Sequence, residues 1–120
     1  MSKKILIIED NEDDMQMIDN CLKNAGFEDI LHAQNAEEGI SIVKTENPDI
    51  IVLDTILPGK NGFEACQEIK ALPGSHAKVI LTTGQVDAIN AGKARASGAD
   101  HYLAKTLDFE DILTTIQKMD

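Results

Sequence analysis

Lys4-Ile5-Leu6-Ile7-Ile8-Glu9-Asp10 decides the fold. Four consecutive apolar residues, three of them β-branched, end abruptly in two acids. A strand buried on one face alternates apolar and polar residues, so an unbroken run predicts a strand covered on both faces, as in a parallel sheet. The pattern returns at Ile50-Ile51-Val52-Leu53, which ends in Asp54, and at Val79-Ile80-Leu81, which ends in Thr82-Thr83. Ile30-Leu31 and Tyr102-Leu103-Ala104 are weaker candidates for two more strands, the second ending in Lys105.

Helical patterns fill the intervals. Met15, Ile18, Leu22 and Ala25 recur at helical spacing and stop at Gly26. Asn35, with Glu38 three residues on, has the signature of a capping box before Ile40 and Val43. Phe63, Cys66 and Ile69 mark a third helix. Phe109, Ile112, Leu113 and Ile116 form an i, i+3, i+4, i+7 stripe, with Asp108 as its expected N-cap. The segment 87–97 is different: it is alanine-rich, carries Gly92 at its middle, and offers only Ile89 as a large group to bury. Glycine there costs about 1 kcal/mol relative to alanine, so this is the helix expected to be least stable. Strands alternating with helices predict an α/β fold, a (βα)5 doubly wound five-stranded parallel sheet with helices on both faces.

The 120 residues suit one domain spanning 1–120, and nothing reads as a linker or repeat. Eleven basic residues against 21 acidic ones give a net charge of −10. That balance excludes binding to nucleic acid or an anionic membrane surface, which needs clustered Lys and Arg. No apolar run nears the roughly 18 residues of a membrane span, and the N-terminus lacks a signal-peptide pattern. Two distant cysteines, Cys21 and Cys66, read as reduced thiols, so a cytoplasmic location is expected. His32, His76 and His101 have no metal-ligand spacing and read as structural or solvated.

In open α/β sheets, sites form at the carboxyl ends of strands where the strand order reverses. After the first run comes Glu9-Asp10-Asn11-Glu12-Asp13-Asp14, five acids in six positions. Acids at a helix start are ordinary by themselves, because the helix dipole favours them. Their conjunction with Asp54 is less so. If the first and third strands are neighbours, Glu9, Asp10 and Asp54 share one crevice and need a cation to be tolerable. Carboxylates, waters and a backbone carbonyl are what Mg²⁺ accepts. A carboxylate beside Mg²⁺, a hydroxyl (Thr83) and a lysine (Lys105) forms a phosphoryl-acceptor constellation, with Asp54 as nucleophile.

These residues resemble a family. The stretches 4–10 and 53–64 (Leu53-Asp54-Thr55-Ile56-Leu57-Pro58-Gly59-Lys60-Asn61-Gly62-Phe63-Glu64), with Leu81-Thr82-Thr83-Gly84 and Gly98-Ala99-Asp100-His101-Tyr102-Leu103-Ala104-Lys105, are similar to the receiver domain of two-component response regulators. The resemblance runs the whole length. It implies the flavodoxin/CheY-like strand order 2-1-3-4-5 and a signalling switch rather than a conventional enzyme. It implies Asp54 as the phosphorylated residue, Asp10 as direct metal ligand, Glu9 as a ligand through water, and the Ile56 carbonyl completing the protein ligands to Mg²⁺. Thr83 and Lys105 would be the phosphoryl-sensing hydroxyl and the charge partner. Thr83 is preferred to Thr82 because the family places this residue just before a small one, here Gly84. Tyr102 falls where the family has its switch aromatic.

The implied donor is a histidine kinase or histidine phosphotransfer protein. The implied output is a downstream protein effector, recognising the surface made by the fourth helix, fifth strand and fifth helix. A monomer, or a weak dimer formed on phosphorylation, is the expected state. Three departures stand out: Glu9 replaces an aspartate, Gly84 a more usual alanine, and Thr106 the usual proline after the lysine. The loop after Lys105 is therefore expected to take its own shape. Ile56 and Gln85 flank the expected path of hydrolytic water, and the apolar Ile56 predicts a long-lived phosphoryl state.

Other classes fit less well. A flavodoxin-like cofactor site needs a neutral phosphate-binding loop where this chain has five acids. A haloacid-dehalogenase-type phosphatase needs a second Asp two residues after the nucleophile, where this chain has Ile56. The competing reading that remains is a receiver-like interaction module acting without phosphorylation.

Overall fold

Successive residues of the first apolar run face opposite layers. Ile5 and Ile7 pack with Met15, Ile18, Leu22, Ile112 and Ile116 in one core, while Leu6 and Ile8 pack with Ile40, Val43, Cys66 and Ile69 in the other. That is why the run contains no polar residue: the strand has no solvent face.

The computed structural model describes residues 3–84, 87–105 and 109–119. Its elements are β1 (Lys4–Ile8), α1 (Glu12–Asn24), β2 (Asp29–Ala33), α2 (Ala36–Glu46), β3 (Ile50–Asp54), α3 (Gly62–Ala71), β4 (Lys78–Thr83), α4 (Ala88–Ala96), β5 (His101–Ala104) and α5 (Glu110–Lys118). All strand pairings are parallel and the order is β2-β1-β3-β4-β5, as expected. Each of β1, β3 and β4 is flanked by a strand on either side, and these are the runs with the most continuous apolar sequence. The order reverses between β1 and β3, which opens the crevice at their carboxyl ends. No helix among the described residues is long and apolar enough to cross a membrane.

Local structure departs from expectation in three places. Ile89 is not buried: it is 76% exposed, and Ala94 is the buried residue of α4. The helix therefore rests on the sheet through a methyl group. Ala25 lies past the end of α1 as an exposed C-cap, before Gly26 at φ +100°. Asn35 caps α2 by accepting the Glu38 N–H at 2.8 Å, but Glu38 accepts from Gln34 N–H rather than from Asn35, so the capping box is not closed. Asp108 lies outside the described residues, and Phe109, immediately before α5, is left-handed at φ 56° with no side-chain cap.

The remaining polar burial is structural. Asp19 faces inward from α1 and is held by His32 and Lys23, each at 2.9 Å. His76 meets Asp49 at 3.1 Å, and His101 is exposed. Cys21 and Cys66 are not joined in a disulfide.

Candidate functional site: an acidic pocket closed by a lysine

Backbone pairing carries the chain past the ends of the strands and sets the pocket. The Glu9 N–H donates to the Ala33 carbonyl at 3.0 Å, which extends the β1–β2 ladder by one residue. The side chain of Glu9 is thereby turned under the sheet edge, 2% exposed, while Asp10 is exposed. Asn11 then starts α1. Its side chain accepts the Asp14 N–H at 2.9 Å, and its own N–H donates to Glu9 at 3.2 Å. Glu12, Asp13 and Asp14 occupy the first helical turn, where the dipole favours them.

Asp54 is the last residue of β3, and its neighbour Thr55 is tied to β4 by an N–H bond to the Thr82 carbonyl. Gly62 opens α3 directly against this strand end. A Cβ there would lie 2.2 Å from the Asp54 carbonyl oxygen and 2.6 Å from Thr55 Cα, so no other residue fits without moving the backbone. Asn61 and Glu64 complete a true capping box at the same point. The turn between Asp54 and Gly62 is thus pinned at both ends. Within it, the Ile56 N–H donates to Asp54 Oδ1 at 3.2 Å, and the Ile56 side chain is 74% exposed.

The strand ends bring the predicted carboxylates together. Ligand oxygens of Glu9, Asp10 and Asp54 all lie within 4.8 Å of one another. Lys105 reaches in from the end of β5, where its N–H bonds the Thr83 carbonyl at 2.7 Å. Its Nζ lies 2.6 Å from Glu9 Oε1, 3.1 Å from Asp54 Oδ2 and 3.0 Å from Asp14 Oδ2. The Glu9 contact is a close ion pair without hydrogen-bond alignment, which leaves buried Oε1 without a hydrogen bond among the described residues. Burial pushes the Glu9 carboxyl up to about 7, with the close Asp54 carboxylate adding to the rise and Lys105 opposing it. For Lys105 burial works to lower the ammonium, but Glu9, Asp14 and Asp54 outweigh it and the net shift is upward.

This donor set fits a hard divalent cation. Three carboxylates converge, and one buried oxygen still lacks a hydrogen bond. Glu9, Asp10, Asp54 and Lys105 are therefore brought together as expected.

Thr83 stands nearby rather than in the trio. It lines a cavity of about 280 Å³ with Ile56, Asn61 and, from α4, Asn90 and Lys93. Thr82, on the opposite face, directs its hydroxyl to the Leu53 carbonyl at 3.5 Å. Tyr102 is half-buried against the core on the α2–α3 side, and its hydroxyl is buried without a hydrogen-bond partner among the described residues. Gln85 and Thr106 lie outside the described residues. Two contributors were not singled out from sequence, Asp14 and Gly62. Asp14 was hidden within a run of acids; Gly62 gave a weak signal as a glycine between a turn and a helix.

The response regulator receiver domain model matches residues 5–117. The chain belongs to that family. It is 32% identical over 114 residues to Protein PilH of Pseudomonas aeruginosa, covering 94% of this chain and 93% of PilH. It is 38% identical over 101 residues to the transcriptional regulatory protein YvrH of Bacillus subtilis, covering 84% of this chain but 42% of YvrH. Among solved structures, chemotaxis protein CheY4 of Vibrio cholerae superposes with a TM-score of 0.90 at 23% identity, covering 98% of each chain. The sequence resemblance and the CheY-like architecture inferred from it are both borne out. Receiver domains are a family of signalling switches in two-component systems, and this chain is one such domain.

Proposed function

We propose that this receiver domain, spanning residues 1–120, accepts a phosphoryl group on Asp54 from the phosphohistidine of a histidine kinase or phosphotransfer protein. The observation that carries the reading is the meeting of Lys105 with Asp54 and Glu9 beside Asp10. In the transfer, an Asp54 carboxylate oxygen forms a bond to phosphorus as the imidazole N–P bond breaks, and its electron pair returns to the ring. Glu9, Asp10, Asp54 and the Ile56 carbonyl would hold Mg²⁺. When bound, that ion supplies charge neutralisation for the phosphoryl oxygens. Lys105 neutralises the same oxygens, and the Thr83 hydroxyl donates to one of them.

Thr83 and Tyr102 are then the moving parts. As Thr83 is drawn towards the phosphoryl group, Tyr102 packs into the space it leaves, and the α4–β5–α5 surface changes for a downstream protein effector. Two features support that surface: α4 is anchored by Ala94, and β5 is nowhere fully buried. A differential stability of a few kcal/mol suffices for such a shift. The reading places the protein in the cytoplasm, as a monomer or a weak phosphorylation-dependent dimer.

Incubation with Mg²⁺ and a small phosphodonor, followed by intact mass, tests the acceptor. The wild type gains one HPO₃ and Asp54→Asn gains none. No adduct, or one that survives Asp54→Asn, would favour an interaction module that works without phosphorylation. Ile56 and Gln85 would set the adduct's lifetime, because an apolar side chain at 56 cannot orient water. Ile56→Asn is expected to shorten that lifetime, and an unchanged decay rate would remove Ile56 from the explanation.

A further inference from the structure

The ammonium of Lys105 sits among three carboxylates, Glu9 just past β1, Asp14 in α1 and Asp54 at the end of β3, and only two belong to the trio suited to a metal. Glu9 and Asp54 are nearly inaccessible, with side chains 2% and 8% exposed. Asp14 is not part of that trio. It projects from the first turn of α1, 30% exposed, and holds Nζ at 3.0 Å across 91 residues of chain. Lys105 and a divalent cation draw on the same Glu9 and Asp54 oxygens, so each weakens the other's hold. Asp14 offers the lysine a counter-charge outside that competition.

We propose that Asp14 is a positioning residue for Lys105. By taking a share of the ammonium it keeps Lys105 from belonging wholly to Glu9 and Asp54, and it ties the end of β5 to the start of α1. The proposal rests on the metal reading above for its effect on the cation, but the contact itself does not. Removing Asp14 leaves Lys105 two partners in place of three, both in the metal trio, so the lysine competes harder. Asp14→Asn keeps the shape and the backbone N–H that Asn11 accepts, so the α1 cap survives. Asp13→Asn is the matched control: it makes the same charge change in the same turn from an exposed side chain.

Calorimetric titration of the full chain with Mg²⁺ is the first test. Asp14→Asn is expected to weaken binding by roughly fivefold or more, since a charge-assisted hydrogen bond is redirected. Asp13→Asn is expected to weaken it by about twofold or less, as a screened exposed charge would. In a Lys105→Gln background the Asp14→Asn effect should fall to the Asp13→Asn level. Equal effects of the two variants, or an Asp14 effect that persists without Lys105, would overturn the proposal.

The second test is free of metal: a double-mutant cycle of Asp14→Asn and Lys105→Gln, followed by thermal melts in chelator. Asp14→Asn should raise Tm more, or lower it less, when position 105 is Gln, because repulsion then remains to be relieved and no attraction is lost. Identical Tm shifts in both backgrounds would overturn the pairing. If the wild type fails to bind Mg²⁺, the metal reading falls while this cycle still decides the contact.

Discussion

The two ends of the sheet's working edge are built differently. At the centre, every residue of β3 is buried, and Asp54 is locked in place by Gly62 pressed against its backbone. At the margin, β5 has no fully buried residue, and α4 leans on it with Ala94 as its buried residue. The acceptor thus sits where packing is dense and positions are over-determined, whereas the proposed reporting surface sits where little holds two arrangements apart. Low local stability is what an element that must move requires.

Core truncations provide the largest test of that contrast. Leu53→Ala removes a fully buried side chain beside Asp54 and is expected to cost roughly 2–5 kcal/mol. Leu103→Ala, on half-buried β5, is expected to cost about 1–2 kcal/mol, since less of the side chain leaves water on folding. Chemical denaturation of both variants measures the difference. Equal costs would mean that the margin is packed as tightly as the centre.

The centre of this molecule was readable because composition and burial coincide there. Runs such as Ile50-Ile51-Val52-Leu53 admit no solvent face, and the acids that end them fall at the sheet edge by geometry alone. The margin was less readable. A helix with one large apolar residue has no stripe to orient it, so Ile89 was assigned inward, and it lies outward. The Asn-x-x-Glu signature occurs twice, and local backbone decides whether the glutamate reaches back to the cap, as at Asn61, or one residue further, as at Asn35. Asp14 meets Lys105 across the whole chain, and its neighbours in sequence are equally acidic. A pairing of that range becomes visible only when β5 is placed beside β4.

Acid sensitivity gives a test of intermediate size. Asp19, Asp49 and Asp100 are each held below the ordinary 3.8. Burial works to raise Asp19 and Asp100, but Lys23 and His32 outweigh it for the first, and Lys70 with the Val79 N–H for the second. Asp49 is lowered chiefly by the Lys4 N–H, against the burial that opposes it. A depressed carboxyl contributes stability that is complete above its unfolded value and is lost as pH falls through its lower folded value. Asp19→Asn should therefore destabilise by roughly 1–2 kcal/mol near neutrality, and the gap from wild type should close as pH drops below 3.8. Melts across that range decide it. A gap that stays constant would mean that packing, not charge, holds Asp19.

The smallest expected effect bears most directly on the margin. Gly92 sits at the middle of α4, and a Cβ there would meet no neighbouring atom within 4 Å. Gly92→Ala should thus gain helix propensity without a clash, raising global stability by about 0.5–1 kcal/mol. Its local consequence is the more informative one. If α4 opens on its own, its amides should exchange in the wild type with an opening free energy well below that of the β3 amides, and Gly92→Ala should raise it by the propensity gain. Equal opening free energies for α4 and β3 amides in the wild type would show that α4 opens only with the whole domain. The contrast between a fixed centre and a yielding margin would then be one of packing density alone, without separate motion.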